Sequence, residues 1–270
     1  MNGNRIILKR GSATVVVMFM ALMVQAQECW LEPLKFRYKA GEEIKVEVRW
    51  GKDFEGELLD ISKNKTEKVE LNRLSGVKEV LKEVKSSKGS YFTYRASQDG
   101  THVLTLQNNV VGSGMTGSAF NEYLEEHGLD NILNERKKMN QLEKPAREFI
   151  SCYAKTLIQA GEKTDDTFKK KIGHRVEIIP DQNPYTLKTG DYLLCRIFFD
   201  GKPVPHTLVK VWSRIATTTF LQSIYTESDG SIRFPISTSG TWMVSSVTMI
   251  KAEKEGADYL SLWASLIFGI

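Results

Sequence analysis

Four histidines, three cysteines and several paired acids are the side chains here with the widest chemical range. The histidines are His102, His127, His174 and His206, and no two stand at a spacing that puts both rings on one metal ion. His-Glu-x-x-His, Cys-x-x-Cys and His-x-His are all missing. His102 lies in an alternating stretch and so faces one side of a strand. His127 precedes Gly128 at the end of a helical pattern, where a partial positive charge suits the dipole. His206 follows Pro205 and reads as turn surface. The pairs Glu42-Glu43, Glu125-Glu126 and Asp165-Asp166 offer oxygen ligands, but adjacent acids on a helix diverge by roughly 100°. Nucleophilic chemistry has less support still. Gly112-Ser-Gly-Met-Thr-Gly117 has neither the central serine of a nucleophile elbow nor the Lys-Ser/Thr of a phosphate loop, and reads as a connector. No catalytic constellation assembles, so the expectation is a protein that is not an enzyme. The tryptophans Trp30, Trp50, Trp212, Trp242 and Trp263 serve either as core or as a sugar-stacking platform, and their exposure decides between the two.

The elements that position these residues are mostly strands. Phe198 to Val247 is the most legible stretch, with short apolar runs punctuated by Asp200-Gly201, Pro203, Asp229-Gly230 and Gly240. Further upstream, Ile44, Val46 and Val48 alternate with Lys45, Glu47 and Arg49, and a strand pair is expected around Ala40-Gly41. Tyr91–Tyr94 and His102–Gln107 read as a hairpin about Asp99-Gly100. Two helices are expected between the β regions, one capped by Ser118 and the next by Asp130. Phe149–Ile158 is open to either helix or strand, with its branched and aromatic residues favouring strand. The fold class that follows is mainly β, with two tandem Greek-key β-sandwiches and a short helical insertion between them. Its expected parts are a leader over 1–26, an N-terminal sandwich over 27–110, an insertion and linker over 111–172, and a C-terminal sandwich over 173–270.

The leader carries the compartment. Arg5, Lys9 and Arg10 precede an apolar run ending at Val24-Gln25-Ala26, whose small residues suit signal cleavage. That run is shorter than the roughly 20 residues of a membrane span, so a soluble periplasmic or cell-envelope protein is expected. Of 37 basic and 33 acidic residues, the leader holds three basic and no acidic ones, which leaves the mature chain close to neutral. That balance gives no footprint for nucleic acid. Cys29, Cys152 and Cys195 are too few for a disulfide scaffold; one bridge with a leftover thiol is open, Cys152 with Cys195 included, and so are Cys152 and Cys195 as buried free thiols. Gln27-Glu28 before Cys29 does not suit lipidation, which wants small uncharged residues there.

Ordered blocks across the chain resemble a known family. Ala26-Gln-Glu-Cys-Trp-Leu-Glu-Pro33 is similar to the Ala-His-Glu-Phe-Trp-Leu-Glu-Pro opening of a bacterial domain-of-unknown-function family. The similarity continues through Gly51–Gly56, Phe120–Asn131, Val176–Tyr185, Phe199–Pro203, Gly240–Val244 and Trp263–Leu266. Members of that family are often labelled periplasmic components of nickel or cobalt uptake. The Phe120–Asn131 block looks like that of Bacteroidetes-type members. The resemblance implies an exported accessory or binding protein beside a membrane transport system or another envelope protein, with nickel or cobalt as the implied metal. Here the family's first histidine is replaced by Gln27, which has no imidazole. The candidate ligands are therefore Gln27, Glu28, Cys29 and Glu32, joined by His102 if Trp30–Pro33 is anchored on the first sandwich. Pro33 suits such an edge strand. The alternative is a glycan- or protein-binding module with no metal role, since the second sandwich resembles transthyretin-like and carboxypeptidase-regulatory-like domains.

Overall fold

The structure is a computed structural model that describes residues 28–270 apart from 111 and 113. The leader and Gln27 lie outside the described residues. The principal strands are β1 (Glu28–Pro33), β2 (Glu43–Lys52), β3 (Lys65–Arg73), β4 (Ser90–Arg95) and β5 (Gly100–Val110). Helices α1 (Gly117–Glu126) and α2 (Asp130–Lys138) follow, then β6 (Ala146–Ala160), β7 (Val176–Pro180) and β8 (Tyr192–Phe199). The chain closes with β9 (Leu208–Ile215), β10 (Thr218–Tyr225), β11 (Ser231–Pro235), β12 (Thr241–Lys251) and β13 (Tyr259–Gly269).

The fold is mainly β, arranged as sheets packed face to face. One ten-stranded sheet runs through both halves in the order β10-β9-β12-β13-β6-β5-β3 and ends on the short strand Gly76–Glu79. On one face, a five-stranded sheet built on β1-β2-β4 closes the first core, which contains Leu31, Ile44, Val46, Phe92, Leu104 and Leu106. On the other, a four-stranded sheet built on β7-β8 with β11 closes a second core around Val176, Leu193, Ile197, Phe234 and Trp242. The two sandwiches therefore share a sheet.

β6 makes that sharing possible. It pairs antiparallel with β5 from Ile150 to Ala160 and parallel with β13 from Glu148 to Thr156. A strand flanked on both sides and largely buried on both faces needs no apolar–polar alternation, which is why Phe149–Ile158 shows none. The strand favoured for Phe149–Ile158 is present and longer than expected, running over Ala146–Ala160, the longest strand among the described residues.

Other local expectations are redistributed for one reason. β4 pairs with β2 while β5 pairs with β6, so the segments expected as a hairpin about Asp99-Gly100 lie in facing sheets. Phe92 of β4 and Leu104 of β5 both contribute to the first core, from the two sheets that enclose it. Likewise Tyr38 pairs with Ala160 of β6 rather than folding back on β2. The first helix is capped by Thr116, whose Oγ1 accepts from Ala119 N at 3.3 Å, and Asp130 sits in the first turn of the second. No helix among the described residues is long and apolar enough to cross a membrane.

Candidate functional site

The candidate metal ligands each have their own partners. Glu28 is buried; its Oε1 accepts from Ser245 Oγ at 3.0 Å, and burial raises its pKa to about 7 despite the nearby Lys210 ammonium. Cys29 is buried against Cys152. Glu32 accepts from Trp30 Nε1 at 3.2 Å, bonds Arg214, and pairs with Arg49 Nε at 2.8 Å. His102 is buried on β5, with Nδ1 3.2 Å from Tyr94 Oη and Nε2 3.0 Å from Gln98 O, so both ring nitrogens are engaged. Burial lowers its pKa. The anchoring of Trp30–Pro33 is as expected: β1 pairs with β2 over its whole length, and Trp30 and Leu31 are buried. The convergence is not, because alternate residues of β1 point to opposite faces. Among the described residues, which do not include Gln27, no group of three or more His, Cys, Asp and Glu side chains is placed to hold an ion.

His127 is not a solvated helix terminus. Its ring packs edge-on to Tyr123 and Trp263, at centroid distances of 5.0 and 4.9 Å, and burial lowers its pKa to about 2. It shares a cavity of about 10 Å³ with Glu28, Lys210 and Ser245. Such a space admits one water and no organic ligand.

The tryptophan platform is also missing. Trp30, Trp212, Trp242 and Trp263 are buried, and Trp50 alone is half-exposed. Trp30 instead packs edge-on to Phe54 at 5.7 Å, in a small cluster with Trp212, Met243 and Ile267.

One site of ligand size among the described residues is a groove of about 490 Å³ on the ten-stranded sheet, beside the second sandwich. Phe149, Ser151 and Tyr153 of β6 project into it, since residues two apart share a face. Ile250 from β12 and Leu260 from β13 extend an apolar floor, and Gln107 and Asn109 of β5 supply amides. These amides are already oriented. Glu67 accepts from the Gln107 amide and from Asn109 Nδ2 at 2.5 Å, while Ser151 Oγ donates to Asn109 Oδ1 at 2.6 Å. Lys65, Arg175, Glu253 and Lys254 stand at the rim. Arg175 is held by Asp200 through bonds of 3.0 and 3.1 Å, which raise its pKa.

The groove has a firm inner wall. Beyond Tyr153, whose ring lies 5.2 Å from that of His174, the same face of β6 carries Lys155 in a buried ion pair with Glu177. Burial would raise the Glu177 pKa, but Lys155 and backbone N–H bonds from Ile172 and Gly173 bring it below the ordinary value. These groove residues were not singled out in the sequence. The available signal was Gln107-Asn108-Asn109 at the end of an apolar strand, since amides are depleted in strands unless something holds them.

A family model described as a domain of unknown function, DUF4198, matches residues 24–250. No curated protein matches the chain. Among solved structures, the fibronectin(III)-like modules of Clostridium thermocellum CbhA align at 9% identity and a TM-score of 0.22, covering 89% of this chain and 93% of that one. Activated alpha-2-macroglobulin of Escherichia coli aligns at 11% identity and 0.24, with 90% of this chain covered but only 20% of that one. Dimeric latent PorU from Porphyromonas gingivalis gives 11% and 0.20, with 93% and 21% covered. Scores this low carry no functional argument. The family match spans most of the chain, and the protein belongs to the DUF4198 family.

Proposed function

We propose that this protein is an exported, non-enzymatic binding module of the cell envelope that holds a glycan segment in the groove over β5, β6, β12 and β13. The observation that carries this reading is the groove itself. Its volume lies in the range of small-ligand sites, its floor is apolar, and its amides Gln107 and Asn109 are already oriented. A sugar ring has the same division, with a C–H face suited to Phe149 and hydroxyls suited to Gln107, Asn109 and Glu67. The basic n-region and short apolar run of the leader support export.

The nickel or cobalt association rests on the family resemblance and has no assembled donor set among the described residues. Calorimetry on the purified protein separates the readings. A panel of neutral and acidic oligosaccharides should give saturable heat that Phe149→Ala weakens about tenfold, which corresponds to about 1.4 kcal/mol. Ni²⁺ and Co²⁺ should give none. Saturable metal binding with no response to any glycan would reverse the assignment.

A further inference from the structure

Cys29 and Cys152 come from strands 123 positions apart and from different sheets, yet their side chains are neighbours inside the first core. Two features fix this meeting independently of the sulfurs. Ser265 Oγ of β13 donates to Cys29 O at 2.8 Å, which holds the β1 backbone over the ten-stranded sheet. The parallel β6–β13 register sets Ser265 opposite Ala154 and Trp263 opposite Cys152, so the same patch of sheet presents the Cys152 side chain. Cys195 cannot compete. It lies in the second core with Ile197 and Phe234, on the far side of that sheet.

From this geometry, and on the reading that the chain is exported, we infer that Cys29 and Cys152 form a disulfide that fastens β1 to β6 and leaves Cys195 as a free thiol. The oxidant is a disulfide of the envelope, protein-borne or of low molecular weight. One cysteine thiolate attacks it and expels a thiol, and the second thiolate resolves the mixed disulfide and expels another. The two cysteines lose two protons and two electrons, and the oxidant's S–S bond becomes two thiols. In the folded protein both sulfurs are buried, at 3% and 1% exposure. The exchange therefore belongs to folding, when the chain is open, and the finished bond resists reduction. It closes a long loop and stabilises chiefly by restricting the unfolded chain. The structure itself holds Cys29, Cys152 and Cys195 as free thiols, and the neighbouring Cys29 thiol together with burial raises the Cys152 pKa.

The test is to refold the full chain in mixed oxidised and reduced glutathione, then denature, alkylate, digest and weigh the peptides. The expected product is a linked peptide pair carrying Cys29 and Cys152, two hydrogens lighter than the reduced sum, with Cys195 alkylated. Reduction should lower the melting midpoint by on the order of 10 °C. Cys195→Ser should keep the link, and Cys152→Ser should release Cys29 to alkylation. Three alkylated cysteines in wild-type protein that has folded, or a link through Cys195, would overturn the inference. Fractionating cells that express the chain tests export separately. Export without the bond sinks this inference alone, while a cytoplasmic chain that links in glutathione buffer sinks only the export reading.

Discussion

Several single residues carry charge into places where water cannot follow. Glu148 is buried on β6 and accepts from Ser261 Oγ and from Tyr123 Oη at 3.3 Å; burial lifts its pKa to about 7. Glu28 stands at about 7 for the same cause. Between the ordinary carboxyl value of 4.5 and 7, the folded state holds more protons than the unfolded one at these positions. Their effect is therefore to lower stability as pH rises through that window. His127 and His174 act in the other direction. Burial puts them at about 2 and about 3, against 6.5 in the open chain, so stability falls as pH drops below 6.5. The two effects oppose each other between pH 4.5 and 6.5, and below that only the histidine effect continues. Glu148→Gln should remove one falling limb. Urea unfolding should find it more stable than wild type by about 1–3 kcal/mol at pH 8, with the gap closing by pH 4. A constant gap across that range would contradict the account of Glu148. Lys155 poses the converse case. Removing its ammonium strands the buried Glu177 carboxylate, and Lys155→Ala should cost about 3–5 kcal/mol in the same assay.

Among the elements, the tip of the β2 hairpin does more than reverse the chain. Asp53 and Phe54 both take positive φ, 57° and 61°, the backbone of a two-residue turn that normally favours Asn and Gly. Phe54 tolerates it because its ring is fully buried against Trp30 and under the Arg214 guanidinium, 4.3 Å from the ring centroid. Arg214 Nη1 also donates to Phe54 O at 3.1 Å. The hairpin thereby joins the five-stranded sheet to the β9 end of the large sheet. Phe54→Ala should cost about 3–5 kcal/mol in chemical unfolding. A loss below 1 kcal/mol would show that the tip is not an anchor. Beside it, Gly56 has no room for a side chain, since a Cβ would come within 2.5 Å of Trp50 O and 2.6 Å of the Trp30 ring.

At the scale of the whole molecule, β6 is the reason that two sandwiches behave as one body. Residues 28–172 expressed alone would lose β13 and expose one edge of β6, so the full chain should unfold in a single transition and the half-length chain should not fold stably. Two separate calorimetric transitions in the full chain would contradict this. The alternation in β2 and the turn residues from Asp200 to Gly240 made strands and fold class readable from sequence, because those patterns are local. Pairing partners were not readable. The β4–β5 segment looks like a hairpin, yet β4 pairs with β2 and β5 with β6 in different sheets, and no residue near Asp99-Gly100 encodes that choice. The groove was hidden for the same reason: Gln107, Phe149, Ile250 and Leu260 lie on four strands that only the shared sheet brings together. The most direct test of the central claim is an amide chemical-shift titration of the folded protein with soluble oligosaccharides. A saturable response confined to β5, β6, β12 and β13 and lost in Phe149→Ala is predicted; saturable shifts clustered elsewhere, or no response to any sugar, would contradict it.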